Sequence, residues 1–202
     1  MASNPAKSAI EVPRGASRIL LHCCCAPCSG AIVEWMAANG IKPVIFFSNS
    51  NIFPQEEYLK RLAEIRRYAV LFDLEVVDDE YDHHAWLDAI RGLEKEPERG
   101  ARCRACFRFR LLRAARYAAA NGFDTLTTTL ASSRWKDLEQ VGEAGGWACA
   151  QVAAETSGKQ APQWWNQNWR KGGLQPRRDA IIKEQNFYNQ TFCGCEFCRK
   201  DL

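Results

Sequence analysis

Arg18-Ile-Leu-Leu-His22 leads directly into Cys23-Cys-Cys-Ala-Pro-Cys28, and this junction is the clearest fold signal in the sequence. The short apolar run is typical of a buried strand. The cysteine-rich segment up to Ser29 predicts a tight turn, in which the proline suits the start of a helix. Residues 31–39 have helical composition, and Gly40 is a suitable helix end. The sequence therefore predicts a strand–turn–helix unit with cysteines in the turn.

Strands and helices alternate through most of the remaining chain. This alternation predicts parallel strands with right-handed crossovers. The expected fold class is α/β, a single domain with a Rossmann-like (HUP-like) parallel sheet flanked by helices. Ligands of such sheets bind at the carboxyl ends of the strands, where the first cysteines lie. The other predicted strands span residues 43–47, 74–77 and 125–130, and the other predicted helices span residues 56–72, 82–93, 106–120 and 178–189.

Two segments fall outside the alternating pattern. Residues 1–17 predict a flexible N-terminal arm, followed by one domain over residues 18–202. Residues 142–175 are rich in glycine, glutamine and tryptophan, and they predict an irregular C-terminal lid rather than a second domain.

Length and composition indicate one globular domain outside the membrane. The chain has 202 residues, of which 47% are hydrophobic and 25% are charged. No apolar run approaches the roughly 20 residues that a membrane span needs, and the first 17 residues lack a signal-peptide core. We therefore expect a cytoplasmic protein. In that reducing compartment, ten cysteines indicate metal binding or redox chemistry rather than a disulfide scaffold.

Basic residues cluster in two stretches that predict contact with phosphates, most simply those of RNA. A solvated helix face is the alternative, although such a face normally mixes acids with bases. The first stretch contains no acid and comprises Arg99, Arg102, Arg104, Arg108, Arg110, Arg113 and Arg116, and the second comprises Arg170, Lys171, Arg177 and Arg178.

The cysteines form three groups, with Cys149 alone. Cys103 and Cys106 have a metal-ligand spacing at the start of a helix, where backbone amides and nearby arginines are expected to lower the thiol pKa. Adjacent cysteines suit a cluster with spread corners better than one zinc ion, and four thiolates are the usual set for a 4Fe–4S cluster. A structural zinc remains the main alternative. The three groups are Cys23, Cys24, Cys25 and Cys28; Cys103 and Cys106; and Cys193, Cys195 and Cys198.

Cys193-Gly-Cys195 predicts a different chemistry. A disulfide across one glycine is strained and easily reduced, which suits a dithiol that cycles. Cys149 is interpreted as a small buried hydrophobe. His83 and His84 are interpreted as surface or capping residues.

Other side chains have two interpretations. Trp164, Trp165 and Trp169 either stack on bases or belong to the core or lid. The acids Asp78, Asp79 and Asp82 either cap structure or donate and orient protons.

With these motifs assembled, the chain resembles the cobalamin-independent epoxyqueuosine reductases from Ile19 to Cys195. The resemblance implies a two-electron reduction that converts epoxyqueuosine to queuosine at the wobble position of tRNA and releases the epoxide oxygen as water. The matching stretches are Leu20-Leu-His-Cys-Cys-Cys-Ala-Pro-Cys28, Ser50-Asn-Ile-Phe-Pro-Gln-Glu-Glu-Tyr58, Glu96-Pro-Glu-Arg-Gly-Ala-Arg-Cys-Arg-Ala-Cys-Phe107, Gly122-Phe-Asp-Thr-Leu-Thr-Thr-Thr-Leu130 and Tyr188-Asn-Gln-Thr-Phe-Cys-Gly-Cys195.

Carried over by position, the resemblance assigns roles to six cysteines. Cys24, Cys25, Cys103 and Cys106 match the ligands of a 4Fe–4S cluster, and Cys193 with Cys195 matches a redox-active disulfide. It also implies an additional iron ion whose ligands it does not assign, and substrates among the tRNAs for aspartate, asparagine, histidine and tyrosine. The electron donor is unknown. We expect Arg108, Arg110, Arg113 and the pair Arg170/Lys171 to bind tRNA phosphates.

The chain departs from the family pattern at Cys23, where an aliphatic residue is usual, and at Cys198, where a serine is common. Cys23 leaves open which adjacent pair binds the cluster, and Cys198 is an alternative disulfide partner. Two other functions remain: a zinc-stabilised RNA-binding module, and an ATP-using, sulfur-transferase-like enzyme that modifies tRNA. Cysteines occupy the turn where the latter would carry a glycine-rich phosphate loop.

Overall fold

Five parallel strands form one sheet in the computed structural model, which describes residues 10–158 and 160–198. The strand order is β3-β2-β1-β4-β5, and every neighbouring pair is parallel. The predicted α/β fold class is therefore confirmed, with one strand more than expected. The strands are β1 (Ile19–His22), β2 (Val44–Phe47), β3 (Val76–Asp78), β4 (Thr125–Thr128) and β5 (Gln163–Trp164).

Six α-helices flank the sheet within the described residues. Asp82 and Asp137 begin two of them, α3 and α5, as N-caps whose carboxylates accept hydrogen bonds from backbone amides of the first turn. The capping alternative for Asp82 is thus confirmed. The helices are α1 (Ala26–Ala38), α2 (Gln55–Val70), α3 (His83–Ala89), α4 (Ala101–Ala120), α5 (Leu138–Glu155) and α6 (Leu174–Glu184).

The central strands β1 and β4 determine where a crevice opens at the carboxyl edge of the sheet. All residues of both strands are buried, because helices cover the two faces. Leu20 pairs with Val44 on one side and with Leu126 on the other. The chain proceeds from β1 through β2 to β3, and then returns to the other side of β1 with β4. This reversal opens a crevice at the carboxyl ends of β1 and β4, where such folds bind ligands.

The predicted irregular lid over residues 142–175 is wrong for its first half, which belongs to α5. Its glycines suggested a loop, but they serve close packing. A Cβ atom on Gly145 would lie 2.2 Å from the ring of Trp164 in β5, and one on Gly142 would lie 2.9 Å from the side chain of Asn166. Glycine therefore lets α5 lie against the edge of the sheet, at some cost in helix propensity.

Three helix boundaries differ from the predictions. The first helix begins at Ala26, so Cys28 lies in its first turn rather than before it. The helix predicted from residue 106 begins at Ala101, so both Cys103 and Cys106 are helical. The last helix spans Leu174–Glu184, about one turn earlier than predicted.

Two of the three tryptophans with open roles belong to the core. Trp165 and Trp169 are buried and contact each other and Trp35, with ring centroids 5.0–6.3 Å apart. Trp164 is half-buried on β5. The core interpretation is therefore correct for Trp165 and Trp169.

Most of the predicted N-terminal arm lies outside the described residues, and its boundary stays a prediction. Within the described part, Ile10 is buried against the core, and Ser17 hydrogen-bonds to Asp124. Among the helices of residues 10–158 and 160–198, none has the length and apolarity that a membrane crossing requires.

Candidate functional site

His22, the last residue of β1, fixes the strand ends around the crevice. Its Nε2 donates to the carbonyl oxygen of Ser48 at 3.1 Å, so its Nδ1 accepts from the Thr128 hydroxyl at 2.7 Å. Burial, assisted by the charge of Arg110, lowers the pKa of His22 to about 3. The imidazole is therefore neutral and acts as a rigid connection between β1, β4 and the segment after β2.

Three cysteines converge at the turn between β1 and α1. The Sγ atoms of Cys24, Cys25 and Cys28 all lie within 4.8 Å of one another. Cys25 is the N-cap residue of α1 and Cys28 lies in the first turn, so the helix N-terminus favours negative charge on these sulfurs. Three thiols at this distance can bind one thiophilic metal centre.

Cys24 is the thiolate of this group. Hydrogen bonds from the thiols of Cys25 and Cys28 hold the pKa of Cys24 well below its usual range, and the charge of Arg110 acts in the same direction. Burial raises the pKa of Cys25, whose sulfur accepts a hydrogen bond from Gln190 at 2.7 Å. A group with one stabilised anion and two nearby thiols is suited to losing further protons to a metal.

Cys23 does not join this group. Its side chain is fully buried and lies 2.8 Å from the Ser29 hydroxyl, and burial raises the pKa of its thiol. The backbone carbonyl of Cys23 accepts a hydrogen bond from Asn49. The structure therefore favours Cys24 and Cys25 as the adjacent pair available to a metal.

A second set of cysteines lines a cavity of about 20 Å³. Cys103 and Cys106, one turn apart at the start of α4, share this cavity with Cys193 and Cys195 from the C-terminal segment. Burial raises the pKa of Cys103, so the expected lowering by the helix terminus and the arginines is wrong for this thiol. The cavity is lined by Asn51, Trp86, Arg102, Cys103, Cys106, Phe107, Arg110, Lys136, Cys193 and Cys195.

Lys136 is a cavity residue that the sequence interpretation missed. Its side chain is 12% exposed, and its Nζ lies 3.4 Å from a carboxylate oxygen of Glu98. Burial opposes the charged form, but Cys193 and then Glu98 raise the pKa of Lys136. The wall of the cavity therefore carries an ammonium group beside its thiols.

Cys193, Cys195 and Cys198 form a second group with Sγ atoms within 4.8 Å of one another. Hydrogen bonds from the thiols of Cys195 and Cys198 hold the pKa of Cys193 well below its usual range, and Lys136 contributes in the same direction. The same contact raises the pKa of Cys198 to about 11. These contacts favour the thiolate form of Cys193, and the thiolate is the nucleophilic form of a cysteine.

Buried contacts hold the backbone of this cysteine segment. Arg61 of α2 donates to the carbonyl oxygens of Phe192 and Cys193, at 3.3 and 3.1 Å. The amide of Phe53 donates to the carbonyl oxygen of Gly194 at 2.9 Å. Gly194 has φ +103, and a Cβ atom there would lie 2.8 Å from the Ile52 side chain. Glycine is therefore required between the two cysteines by conformation and by space.

His83 and Glu196 make a further connection to this segment. His83 Nε2 lies 2.9 Å from Glu196 Oε1, and Nδ1 lies 2.7 Å from the carbonyl oxygen of Ser50. Its ring stacks between Phe53 and Trp86, with centroids 5.1 and 5.2 Å away. The interpretation of His83 as a surface or capping residue is wrong, since it ties α3 to the residue that follows Cys195.

Arg110 connects the two cysteine sets. It lines the cavity with Cys103 and Cys106, one turn after the latter, and its charge also lowers the pKa of Cys24. Its guanidinium donates to the carbonyl oxygen of Ser48 and to Asn49, at the carboxyl edge of the sheet. One buried arginine thus lines the cavity with the thiols that begin α4 and acts electrostatically on a thiol after β1.

Much of the predicted basic surface is engaged inside the protein. Arg102 and Arg110 are each 3% exposed, so the expectation that Arg110 binds phosphates at the surface is wrong. Arg113 pairs with Asp79 at 2.5 Å, and Arg108 pairs with Glu143. The helix lacks acids of its own, but neighbouring elements supply them. Arg170 donates to backbone carbonyls of residues 133 and 136, whereas Lys171 is exposed.

Comparison with known proteins places the chain beside one family. A sequence profile of the family described as "Epoxyqueuosine reductase QueH" matches residues 19–201. Proteins of that name from Histophilus somni and Haemophilus influenzae are each 43% identical over 192 residues, which cover 95% of this chain and 76% of the relative. The protein of that name from Acinetobacter baylyi is 40% identical over 192 residues, which cover 95% of this chain and 85% of the relative.

Proposed function

Because the chain belongs to the epoxyqueuosine reductase QueH family, we propose that it is the oxidoreductase that reduces epoxyqueuosine to queuosine in tRNA. The observation that carries this proposal is the cavity at the carboxyl edge of the sheet. There, Cys193 is held as a thiolate beside Cys195, and the ammonium of Lys136 faces both Cys193 and the thiols of α4. Such a site combines a two-electron donor with a positive charge in a water-poor pocket.

We assign Cys24, Cys25, Cys103 and Cys106 as the ligands of a 4Fe–4S cluster. Four thiolates are the usual ligands of such a cluster, and the position of Arg110 between the two pairs supports a common centre. When bound, the cluster would supply one-electron transfer beside the cavity. Cys28 lies with Cys24 and Cys25 and is the further thiol at that end.

The Cys193/Cys195 pair is assigned as the dithiol of the reaction. Removal of the epoxide oxygen as water consumes two electrons and two protons, and oxidation of two thiols to one disulfide releases the same number. The Cys193 thiolate is the reactive form, and the contacts of Arg61 and Phe53 fix its backbone. Lys136 places positive charge where a carbon–oxygen bond breaks and oxygen gains negative charge.

The partner is a tRNA with epoxyqueuosine at the wobble position, of the aspartate, asparagine, histidine and tyrosine types. The acidic partners found for Arg108 and Arg113 reduce the basic surface, so phosphate contact shifts to exposed cations such as Arg134 and Lys171. Because the substrate is tRNA, we place the enzyme in the cytoplasm. An electron donor there returns the disulfide to the dithiol.

Metal analysis on anaerobically purified protein, with matched variants, tests the proposal. We expect about four irons and four sulfides per chain in the wild type, with excess iron reporting the additional ion. Cys103→Ser should lose the metal, whereas Cys193→Ser should keep the metal and lose turnover of epoxyqueuosine-containing tRNA. Cys149→Ser, at a buried thiol outside both groups, is the control.

Three results would contradict the assignment. Stoichiometric zinc without sulfide would favour a zinc-stabilised RNA-binding module. A requirement for ATP would favour a sulfur-transferase-like enzyme. Full activity in both Cys103→Ser and Cys193→Ser would exclude the cysteine roles assigned above.

A further inference from the structure

Cys198 is a third thiol beside the pair assigned to the reaction. Its Sγ lies within 4.8 Å of the sulfurs of both Cys193 and Cys195. Its backbone amide donates to the carbonyl oxygen of Cys195 at 3.0 Å, within the short 3-10 turn Glu196–Cys198. The third sulfur is thus held within reach of the other two by one turn of backbone.

The three sulfurs differ in what they face. Cys193 and Cys195 line the cavity of about 20 Å³, whereas Cys198 does not line it. Cys195 is buried, and Cys193 and Cys198 are both partly exposed. A disulfide formed by Cys193 and Cys195 after turnover therefore lies in the wall of a cavity that is too small to admit a protein reductant.

We infer that Cys198 is a catalytic resolving thiol that moves the disulfide out of the cavity wall. This inference rests on the proposed dithiol role of Cys193 and Cys195. The Cys198 thiolate attacks the sulfur of Cys195, the Cys195–Cys198 bond forms, and the Cys193–Cys195 bond breaks. Cys193 leaves as a thiolate, so the exchange conserves electrons. An external dithiol then reduces the Cys195–Cys198 disulfide and is itself oxidised.

The contacts of the three sulfurs set the direction of this exchange. In the disulfide state Cys193 carries no negative charge, so its contact no longer raises the pKa of Cys198. Arg102 donates to Cys198 Sγ at 3.4 Å, which favours the attacking thiolate. The Cys193 thiolate is stabilised by its thiol neighbours and by Lys136, and a stabilised thiolate is the better leaving group. The new disulfide encloses two residues instead of one, the spacing used by many dithiol oxidoreductases, and is the less constrained ring.

The test maps disulfides after a single turnover. Reduced enzyme, freed of excess dithiothreitol, reacts with one equivalent of epoxyqueuosine-containing tRNA, is quenched with an alkylating reagent, and is analysed by peptide mass spectrometry. In the wild type we expect a Cys195–Cys198 disulfide and alkylated Cys193. In Cys198→Ser we expect only the Cys193–Cys195 disulfide.

Steady-state rates with a protein dithiol as reductant provide the second measurement. Cys198→Ser and Cys198→Ala should each turn over about tenfold more slowly than the wild type, because the disulfide then remains in the wall of a cavity too small to admit a protein dithiol. Cys149→Ser, which removes a buried thiol on α5, should leave the rate unchanged.

Each contrary result has a distinct meaning. A Cys193–Cys195 disulfide as the sole wild-type product, with normal turnover in both Cys198 variants, would overturn the resolving role and leave the dithiol intact. Loss of a bound metal ion in Cys198→Ser would instead show that the three thiols ligate metal. Turnover with all three cysteines alkylated would overturn the dithiol scheme, and the resolving role with it.

Discussion

Replacement of Arg61 by methionine should destabilise the protein by about 3–5 kcal/mol, because it leaves a buried carboxylate without its cation. The side chains of Arg61 and Glu57 are 3% and 9% exposed, and their charged groups lie 2.6 Å apart within α2. The same guanidinium donates to two carbonyl oxygens of the cysteine segment. The hydroxyl of Tyr188 would still donate to Glu57, so one hydrogen bond to the carboxylate survives.

Two variants calibrate this magnitude. Arg66→Met removes a cation from the same helix, but its side chain is 54% exposed and lies 3.4 Å from Asp78. Such an exposed pair contributes about 0–1 kcal/mol. Glu57→Leu combined with Arg61→Met removes both buried charges and should recover a large part of the loss, because no charge remains unpaired.

The assay is urea unfolding of reduced, metal-loaded protein without oxygen, followed by tryptophan fluorescence. The wild type, the three variants and a limited-proteolysis measurement at the cysteine segment form one series. We expect cleavage near residues 192–195 to increase in Arg61→Met but not in Arg66→Met. The reasoning is refuted if Arg61→Met and Arg66→Met have the same small effect, or if the double variant is less stable than Arg61→Met.

Three further predictions concern other parts of the molecule. Gly145→Ala should lower stability by about 1–2 kcal/mol, because its Cβ would overlap Trp164 and the cost of overpacking exceeds the gain in helix propensity. Gly146→Ala, whose Cβ would lie 4.0 Å from the same ring, should raise stability by about 0.5–1 kcal/mol. The urea midpoints of the two variants test this difference, and equal shifts would contradict it. Burial alone would raise the pKa of Asp124, but hydrogen bonds from the two residues before β1 lower this pKa below its usual value. The stabilisation of the fold by the Asp124 carboxylate is therefore present above about pH 4 and is lost as the pH falls further. The stability difference between wild type and Asp124→Asn should therefore shrink from pH 7 to pH 3, and a constant difference would exclude this role. Trp135 is 64% exposed and is next to the cavity residue Lys136 in the sequence. Trp135→Ala should therefore weaken the binding of epoxyqueuosine-containing tRNA about tenfold through lost base stacking, whereas Trp135→Phe should keep most of the affinity. A filter-binding titration in which both variants bind like the wild type would refute the contact.

The sequence predicted the elements that have strong local signals. The β1 run and the position of Gly40 after α1 both follow from rules of a few residues. The alternation of strands and helices was sufficient to predict a parallel sheet. The helix α5 was missed because its glycines are locally unfavourable, and only packing against Trp164 and Asn166 shows their purpose.

The candidate site was predictable in its thiols but not in its supporting charges. Cysteine spacing alone identified the three groups, and the structure separates Cys23 from its neighbours. Lys136, Arg61 and His83 carry no local motif, because their roles depend on distant contacts. Lys136 contacts Glu98, His83 contacts Glu196 and Arg61 contacts the carbonyl of Cys193, and these pairs are 38, 113 and 132 residues apart in the sequence. The prediction of a phosphate-binding surface from the arginines of α4 failed for the same reason, because their acidic partners lie on other elements.

The strand order also fixes when the cavity can be completed during synthesis. All five strands precede residue 165, whereas the wall formed by residues 193–195 is among the last of the described chain to leave the ribosome. The sheet can therefore form with the thiols of α1 and α4 still open to solvent on that side. For the metal centre that we propose, delivery of the metal and closure of the cavity would be ordered events. The thiols after β1 and in α4 would be accessible first, and the segment held by Arg61 and Phe53 would then cover them.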